Sequence, residues 1–249
     1  MSGSVRDVVV VGAPRSGTSM LAGLFADAGH CAGRRLIPPT PSNPAGFHED
    51  LDVNAANDDL LAALDDTPWP GTVSPIRRLR WIGAYDGWVR GDRSGDDLAV
   101  LVPDRPFVLK DPRFCYTLPA WQDVLADVLV VVIVRHPAEV VASVRAMAER
   151  EPATFEGFDV TDEHLLAMWT AMHHAVLGWC DTDAPGPVTF VDCDDVRSGA
   201  ALPVLSRLSG VDLVARTVQP GLHRERSDRD DPSGELGALL ERLRERMRG

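Results

Sequence analysis

The sequence predicts an α/β fold, a parallel sheet with helices on both faces, and three observations carry that expectation. Four short runs, Val5 to Val11, Phe107 to Leu109, Val128 to Val134 and Val188 to Val191, are largely apolar along their length rather than at alternate positions, as strands covered on both sides require. Each is followed by a segment of helical spacing, and strand–helix alternation implies right-handed crossovers and parallel pairing. The first run passes through Gly12-Ala-Pro-Arg-Ser-Gly17 straight into Met20, Leu21, Leu24 and Phe25 at helical spacing, a strand, glycine loop and helix of the P-loop type.

Punctuation fixes the remaining elements. Leu51 to Leu64 reads as a helix preceded by Glu49 and Asp50. Pro137 stands where a first helical residue belongs, just after the strand ending at Arg135. Thr161 followed by Asp162 and Glu163 is an N-cap with an acidic first turn, and Leu165, Trp169, Met172 and Val176 give the helix to Cys180 its apolar face. Segments 31–48 and 66–75 are rich in Pro, Gly and Thr and read as loops, and a polar connection over 224–234 precedes a last helix of about 235–248. The 249 residues suffice for one domain, 1–249, that folds without disulfides or a structural metal.

Composition excludes several functions. With 25 Lys+Arg against 37 Asp+Glu the net charge is −12, and a nucleic-acid binder needs a basic stripe that this balance does not supply. The longest apolar run, Val124 to Val134, is interrupted by Asp127 and is too short to span a membrane. The first residues lack a basic region or cleavable apolar stretch, so the expected location is the cytoplasm. Cys31, Cys115, Cys180 and Cys193 lie far apart, which fits four reduced thiols and no metal site. Of the 25 cations, 24 are Arg and one, Lys110, is Lys.

A glycine loop between a buried strand and a helix presents backbone N–H groups at the positive end of a helix dipole, a site for phosphate or sulfate. A Walker loop reads G-x-x-x-x-G-K-[ST]. Here Gly12 to Ser19 has Thr18 in the lysine position, carries its cation inside the loop at Arg15, and is paired with a later strand ending in Arg135 rather than a Mg²⁺-holding Asp. These departures weigh against a kinase or ATPase.

Gly12-Ala-Pro-Arg-Ser-Gly-Thr-Ser19 together with Arg135-His-Pro-Ala-Glu-Val-Val-Ala-Ser143 resembles the two cofactor motifs of sulfotransferases that use 3′-phosphoadenosine 5′-phosphosulfate (PAPS). The resemblance implies a sulfotransferase-like fold and a loop, Arg15, Ser16, Gly17, Thr18 and Ser19, that grips the 5′-phosphosulfate. It implies also that Arg135 and Ser143 bind the 3′-phosphate, roles that suit a bidentate guanidinium fork and a hydroxyl on the next helix. Lys110-Asp111-Pro112-Arg113 is similar to a segment of protein-tyrosine and bacterial sulfotransferases, and implies that Lys110 reaches the transferring group. A lone Lys at the C-terminal end of a strand, where α/β ligand sites collect, points the same way. Asn43-Pro44-Ala45-Gly46-Phe47-His48-Glu49 resembles a bacterial motif whose Glu lies at the acceptor hydroxyl. Glu49 is therefore the candidate general base, with His48 the alternative because its ordinary pKa suits the task. The late Arg-Lys-Gly segment of cytosolic eukaryotic enzymes is absent; His223-Arg224 could stand in for it.

The expectation is metal-independent, in-line transfer from PAPS to a hydroxyl or amine of a small-molecule acceptor, a natural product or glycoside, with release of 3′,5′-bisphosphoadenosine (PAP). The catalytic set is Arg15, His48, Glu49 and Lys110. Residues 41–66 hold seven acids and no Lys or Arg, and Trp69, Trp81, Tyr85 and Trp88 follow, so an acidic, aromatic acceptor wall is one expectation. The wall would draw on loops 31–48, 66–95 and 151–161, with Phe155 and Phe158 as a lid; packing of Trp81, Tyr85 and Trp88 in the core at helical spacing is the other reading. The alternatives are a small-molecule kinase of the P-loop class and a non-catalytic adenine-nucleotide-binding module. Whether the chain forms a homo-oligomer is left open by the sequence.

Overall fold

Four parallel strands, β1 (Val8–Val11), β2 (Val108–Lys110), β3 (Leu129–Val134) and β4 (Val188–Asp192), form one sheet in the order β2-β1-β3-β4. The structure, a computed structural model, describes residues 4–62, 77–90, 95–182, 184, 186–214 and 231–248. β1 lies between β2 and β3, and its four valines are fully buried.

The pleat sorts these strands into two cores. Val9, Val11, Leu109, Val130, Val132 and Phe190 face one cluster, and Val8, Val10, Val108, Leu129, Val131 and Val191 face the other. The first is covered by α2 (Leu51–Leu61), α4 (Phe114–Trp121), α5 (Pro137–Arg150), α6 (Asp162–Thr182) and α9 (Gly234–Arg248). The second is covered by α1 (Thr18–Asp27), α7 (Cys193–Ser198) and α8 (Leu202–Ser209). Helices on both faces explain why the strands are apolar on both sides. A short α3 (Gly95–Ala99) and 3₁₀ turns at Arg77–Ile82 and Pro152–Thr154 complete the described elements.

Helix starts follow the punctuation. Pro137 opens α5 behind His136, and the Thr161 hydroxyl accepts from His164 N at 3.2 Å ahead of α6. Asp50 caps α2, accepting from Asp52 N at 2.8 Å and from Arg34 N and Arg35 N. Burial acts to raise its pKa, but these amide donors outweigh that and hold the carboxyl below its ordinary range.

Several expectations are corrected. β1 begins at Val8, because Arg6 N turns away to Ser209 O, and β2 extends through Lys110. Residues 77–82 of an expected loop form a 3₁₀ turn and 95–99 form α3. Trp81, Tyr85 and Trp88 share no helical face, since the turn ends at Ile82 and irregular chain follows. Tyr85 is nonetheless buried, edge-on to Tyr116 at 5.2 Å, and Trp88 lies across Gly178, where a Cβ would come within 2.6 Å of the ring. The expected end of α2 at Leu64, Trp69, the loop 66–75, His223-Arg224 and most of 224–234 lie outside the described residues.

The four cysteines are free. No helix among the described residues is long and apolar enough to cross a membrane.

Candidate active site

At the C-terminal end of β1 the chain turns sharply. A Cβ on Gly12 would stand 2.5 Å from Ile133 O, and Gly17, with φ 88°, would place one 2.9 Å from Cys193 Sγ. Arg15 is also left-handed, with φ 66°, an arrangement uncommon for a residue with a side chain. Gly17 is the N-cap of α1 and supplies no side-chain acceptor, so the first-turn amides lack the usual cap. Ser16 is fully buried and its Oγ has no hydrogen-bond partner among the described residues. An anion fits this cradle, because uncapped amides and an unspent hydroxyl both gain from an acceptor.

The Arg15 guanidinium ties the loop to its surroundings. Nε donates to Ser143 Oγ and Nη2 to Ser42 O, both at 3.2 Å. Arg135 reaches in from the end of β3, its Nη1 donating to Arg15 O at 2.8 Å and its Nε to Glu139 Oε2 at 2.9 Å. Burial first, then the charges of Arg135 and Arg150, lower the pKa of Arg15 against the opposing pull of Glu151. Cations assembled this closely are the counterpart of a multiply charged anion.

At the end of β2, Lys110 Nζ is ion-paired to Glu49 Oε1, with both residues buried. Glu49 Oε2 accepts from Asn54 Nδ2 at 3.1 Å. The same amide donates to Asp111 Oδ2 at 2.6 Å, and Asn57 Nδ2 donates there at 3.0 Å. Asp111 Oδ1 accepts from Arg113 N and Nη1, and Arg113 Nε donates to Asp58 at 2.6 Å. Burial acts to lower the Arg113 pKa, but Asp111 and Asp58 outweigh it and raise it above the ordinary value. Asp58 is raised, burial prevailing over Arg113.

The Asn43 segment is clasped between these two groups. Ser42 N donates to Glu151 Oε1 at 2.8 Å, Asn43 Nδ2 to Ser19 Oγ at 3.3 Å, and Arg15 holds Ser42 O. Glu49 is thereby registered against the glycine loop.

Between them lies a cleft of 270 Å³ whose lining includes the polar residues Arg15, Thr18, Ser19, Glu49 and Lys110 and the apolar residues Ile37, Phe47, Trp81 and Met147. Lys110 Nζ stands 5.9 Å over the Phe47 ring, and Trp81 meets Phe155 edge-on at 6.0 Å.

Five of the expected site residues thus line one cleft. Arg135 and Ser143 join it through Arg15, while Ser16 and Gly17 lie in the turn itself. His48, with φ 53°, is not among the lining residues although its neighbours Phe47 and Glu49 are. Of the acids and aromatics of the expected acceptor wall, Glu49 and Trp81 line the cleft, while Asp50 caps α2, Asp52 pairs with Arg35 and Asp58 with Arg113. Phe155 is buried behind Trp81, and Phe158 packs on His164 at 4.9 Å.

Sequence reasoning missed Asn54, Asn57 and Arg113 as parts of this framework. The available signal was two amides at i, i+3 in a helix whose other inward positions are apolar, together with the Asp and Arg beside Lys110.

A parallel α/β sheet with an anion cradle after β1 and a buried ammonium–carboxylate pair beside it defines an anion-binding site at strand C-termini, where ligands of such sheets collect. The sequence matches the model of the sulfotransferase family over residues 7–198, and the chain belongs to that family. Solved structures similar to it include the sulfotransferase domain from the curacin biosynthetic pathway, 17% identical with a TM-score of 0.46 over 96% of this chain and 84% of that one. The sulfotransferase domain from the Synechococcus PCC 7002 olefin synthase is 15% identical, with a TM-score of 0.46 over 98% and 90%. Sulfotransferase STF1 from Mycobacterium tuberculosis H37Rv is 16% identical, with a TM-score of 0.42 over 99% and 77%. No curated protein matches the chain.

Proposed function

We propose that the chain is a PAPS-dependent sulfotransferase, a single domain over 1–249 working in the cytoplasm on a small-molecule hydroxyl. One observation carries the reading: the loop residues Arg15, Thr18 and Ser19 share one cleft with Glu49 and Lys110. PAPS supplies the sulfuryl group, which moves from the 5′-phosphate oxygen to the acceptor oxygen as one S–O bond breaks and another forms.

In this reading the amides of residues 15–19 and the Arg15 side chain bind the phosphosulfate, with Arg135 and Ser143 at the 3′-phosphate. Charge develops on the bridging oxygen of the leaving nucleotide, and Lys110 neutralises it. Its compact ammonium suits that approach better than a planar guanidinium. Glu49 Oε1 takes the acceptor proton. Lys110 and Glu49 are already in contact, so the bound substrates insert between them, and each member exchanges its partner for the charge or proton it serves.

The apolar lining residues Ile37, Phe47, Trp81 and Met147 suit an acceptor with an aromatic or aliphatic portion.

The test is thermal unfolding in buffer, with PAP, and with Mg²⁺-ATP. A ligand at about 100 times Kd adds about 2.7 kcal/mol to the folded state, several degrees for a chain of this size. The expected result is a rise with PAP alone. A rise only with Mg²⁺-ATP overturns the reading in favour of a kinase.

A further inference from the structure

Glu49 does not stand alone at the cleft. Asn54, on the buried face of α2 and 7% exposed, donates through Nδ2 to Glu49 Oε2 and Asp111 Oδ2 together. The orientation of its amide is decided by chemistry, because turning it would aim the carbonyl oxygen at two carboxylate oxygens.

Asp111 is fixed in turn. Arg113 holds Oδ1 through both backbone and side chain, and Asn57 shares Oδ2. Asn57 is itself anchored, its Oδ1 accepting from Thr117 Oγ1 and Trp121 Nε1, both at 2.9 Å. Two helices, α2 and α4, therefore hold the amide of Asn54 in place. Glu49 Oε2 is bound into that framework, and Oε1 is the oxygen paired with Lys110, both residues lining the cleft.

We propose that Asn54 is the positioning residue for Glu49: by engaging Oε2 it selects Oε1 as the oxygen presented to Lys110 and to the acceptor hydroxyl. The inference rests on the reading of Glu49 as the base. A group held by a locked neighbour keeps the narrow geometry that proton transfer requires, and a freed carboxylate samples others.

The single lysine of this chain gives a direct test. Protein labelled with [ζ-¹⁵N]lysine has one side-chain ammonium signal, that of Lys110. The expected result is that Asn54→Ala moves this signal toward its position in Glu49→Gln, and that adding Asn54→Ala to Glu49→Gln moves it no further. Asn57→Ala, which reaches Glu49 only through Asp111 and Asn54, should move the signal less than Asn54→Ala does. Turnover of PAPS to PAP should fall at least about tenfold in Asn54→Ala with KM for PAPS within about twofold, the pattern of a lost transition-state interaction. Asn54→Ser, which keeps a polar group but cannot span both carboxylates, is expected to behave the same way and serves if the alanine variant does not fold.

An unmoved ammonium signal in Asn54→Ala or Asn54→Ser, or a loss that adds fully to that of Glu49→Gln, overturns the proposal. Undiminished turnover in Glu49→Gln instead removes the base assignment, and the ammonium signal then separates that failure from a failure of Asn54 to hold Glu49.

Discussion

Lys110 and Glu49, 61 residues apart in sequence, form an ion pair whose side chains are only 2% and 8% exposed. Removing one partner of such a pair strands a charge in a poorly solvated site, which costs about 3–5 kcal/mol, whereas replacing both with neutral groups is often tolerated. Lys110→Met and Glu49→Gln should therefore each lower the melting temperature, and the double variant should be more stable than the Lys110→Met single. Differential scanning calorimetry of the three proteins checks this, and a double variant no better than that single would mean that the pair contributes no coupled stability.

On the catalytic side, Glu49→Gln should remove turnover of PAPS while leaving the affinity for PAP unchanged, and His48→Ala should leave both intact. The basis is placement, since Glu49 lines the cleft and His48 does not. Isothermal titration with PAP and a PAP-release assay separate the two effects. Normal turnover in Glu49→Gln with loss in His48→Ala would reverse the assignment.

The cofactor loop offers a graded pair. Arg15→Ala removes a cleft cation and both its tethers, to Ser143 and to Ser42 O, and should lower turnover by about 10²–10³, the scale of a lost oxyanion donor. Ser143→Ala removes one hydrogen bond and should weaken PAP binding by about tenfold or less, about 1.4 kcal/mol. Equal effects of the two substitutions on PAP affinity would argue against separate roles.

Acid stability has a specific contributor in His173. It is 1% exposed, its Nδ1 donates to Trp169 O at 2.6 Å, and burial lowers its pKa to about 4 against the raising effect of that carbonyl. An unfolded imidazole titrates near 6.5, so between about pH 6.5 and about pH 4 the unfolded chain binds more protons than the folded one. The stabilisation is complete above that window and falls as pH drops through it, by on the order of 3 kcal/mol at pH 4. His173→Phe should flatten the stability curve across the window in urea titrations at pH 7 and pH 4.5. An unchanged slope would place the sensitivity elsewhere.

Local signals made much of this legible in the sequence. The run of valines at 8–11 must be a doubly covered strand, because side chains apolar on both faces of a pleat need cover on both sides. Pro137 and Thr161 mark helix starts by what their own atoms can and cannot do. The aromatic series 81–88 is legible only in part: Tyr85 is in the core and Trp81 lines the cleft, yet no shared helix puts them there, because burial alone does not reveal spacing. The roles of the acids in 41–66 are not legible locally, because a carboxylate's partner, Arg113 for Asp58 or the amides of Arg34 and Arg35 for Asp50, lies elsewhere in the chain or on its backbone.

By itself the sequence determined the strand–loop–helix unit around Gly12 to Ser19, the class of anion it suits and the separate motifs at Glu49, Lys110 and Arg135, since each depends on residues adjacent in the chain. Only the tertiary structure decided that Glu49 rather than His48 faces the cleft, that Lys110 is its partner, and that Asn54, Asn57, Asp111 and Arg113 hold the pair in place. Those relations join residues brought together when β2, α2 and α4 pack, and the direction of a buried side chain is set by the neighbours that satisfy it rather than by its place in the sequence.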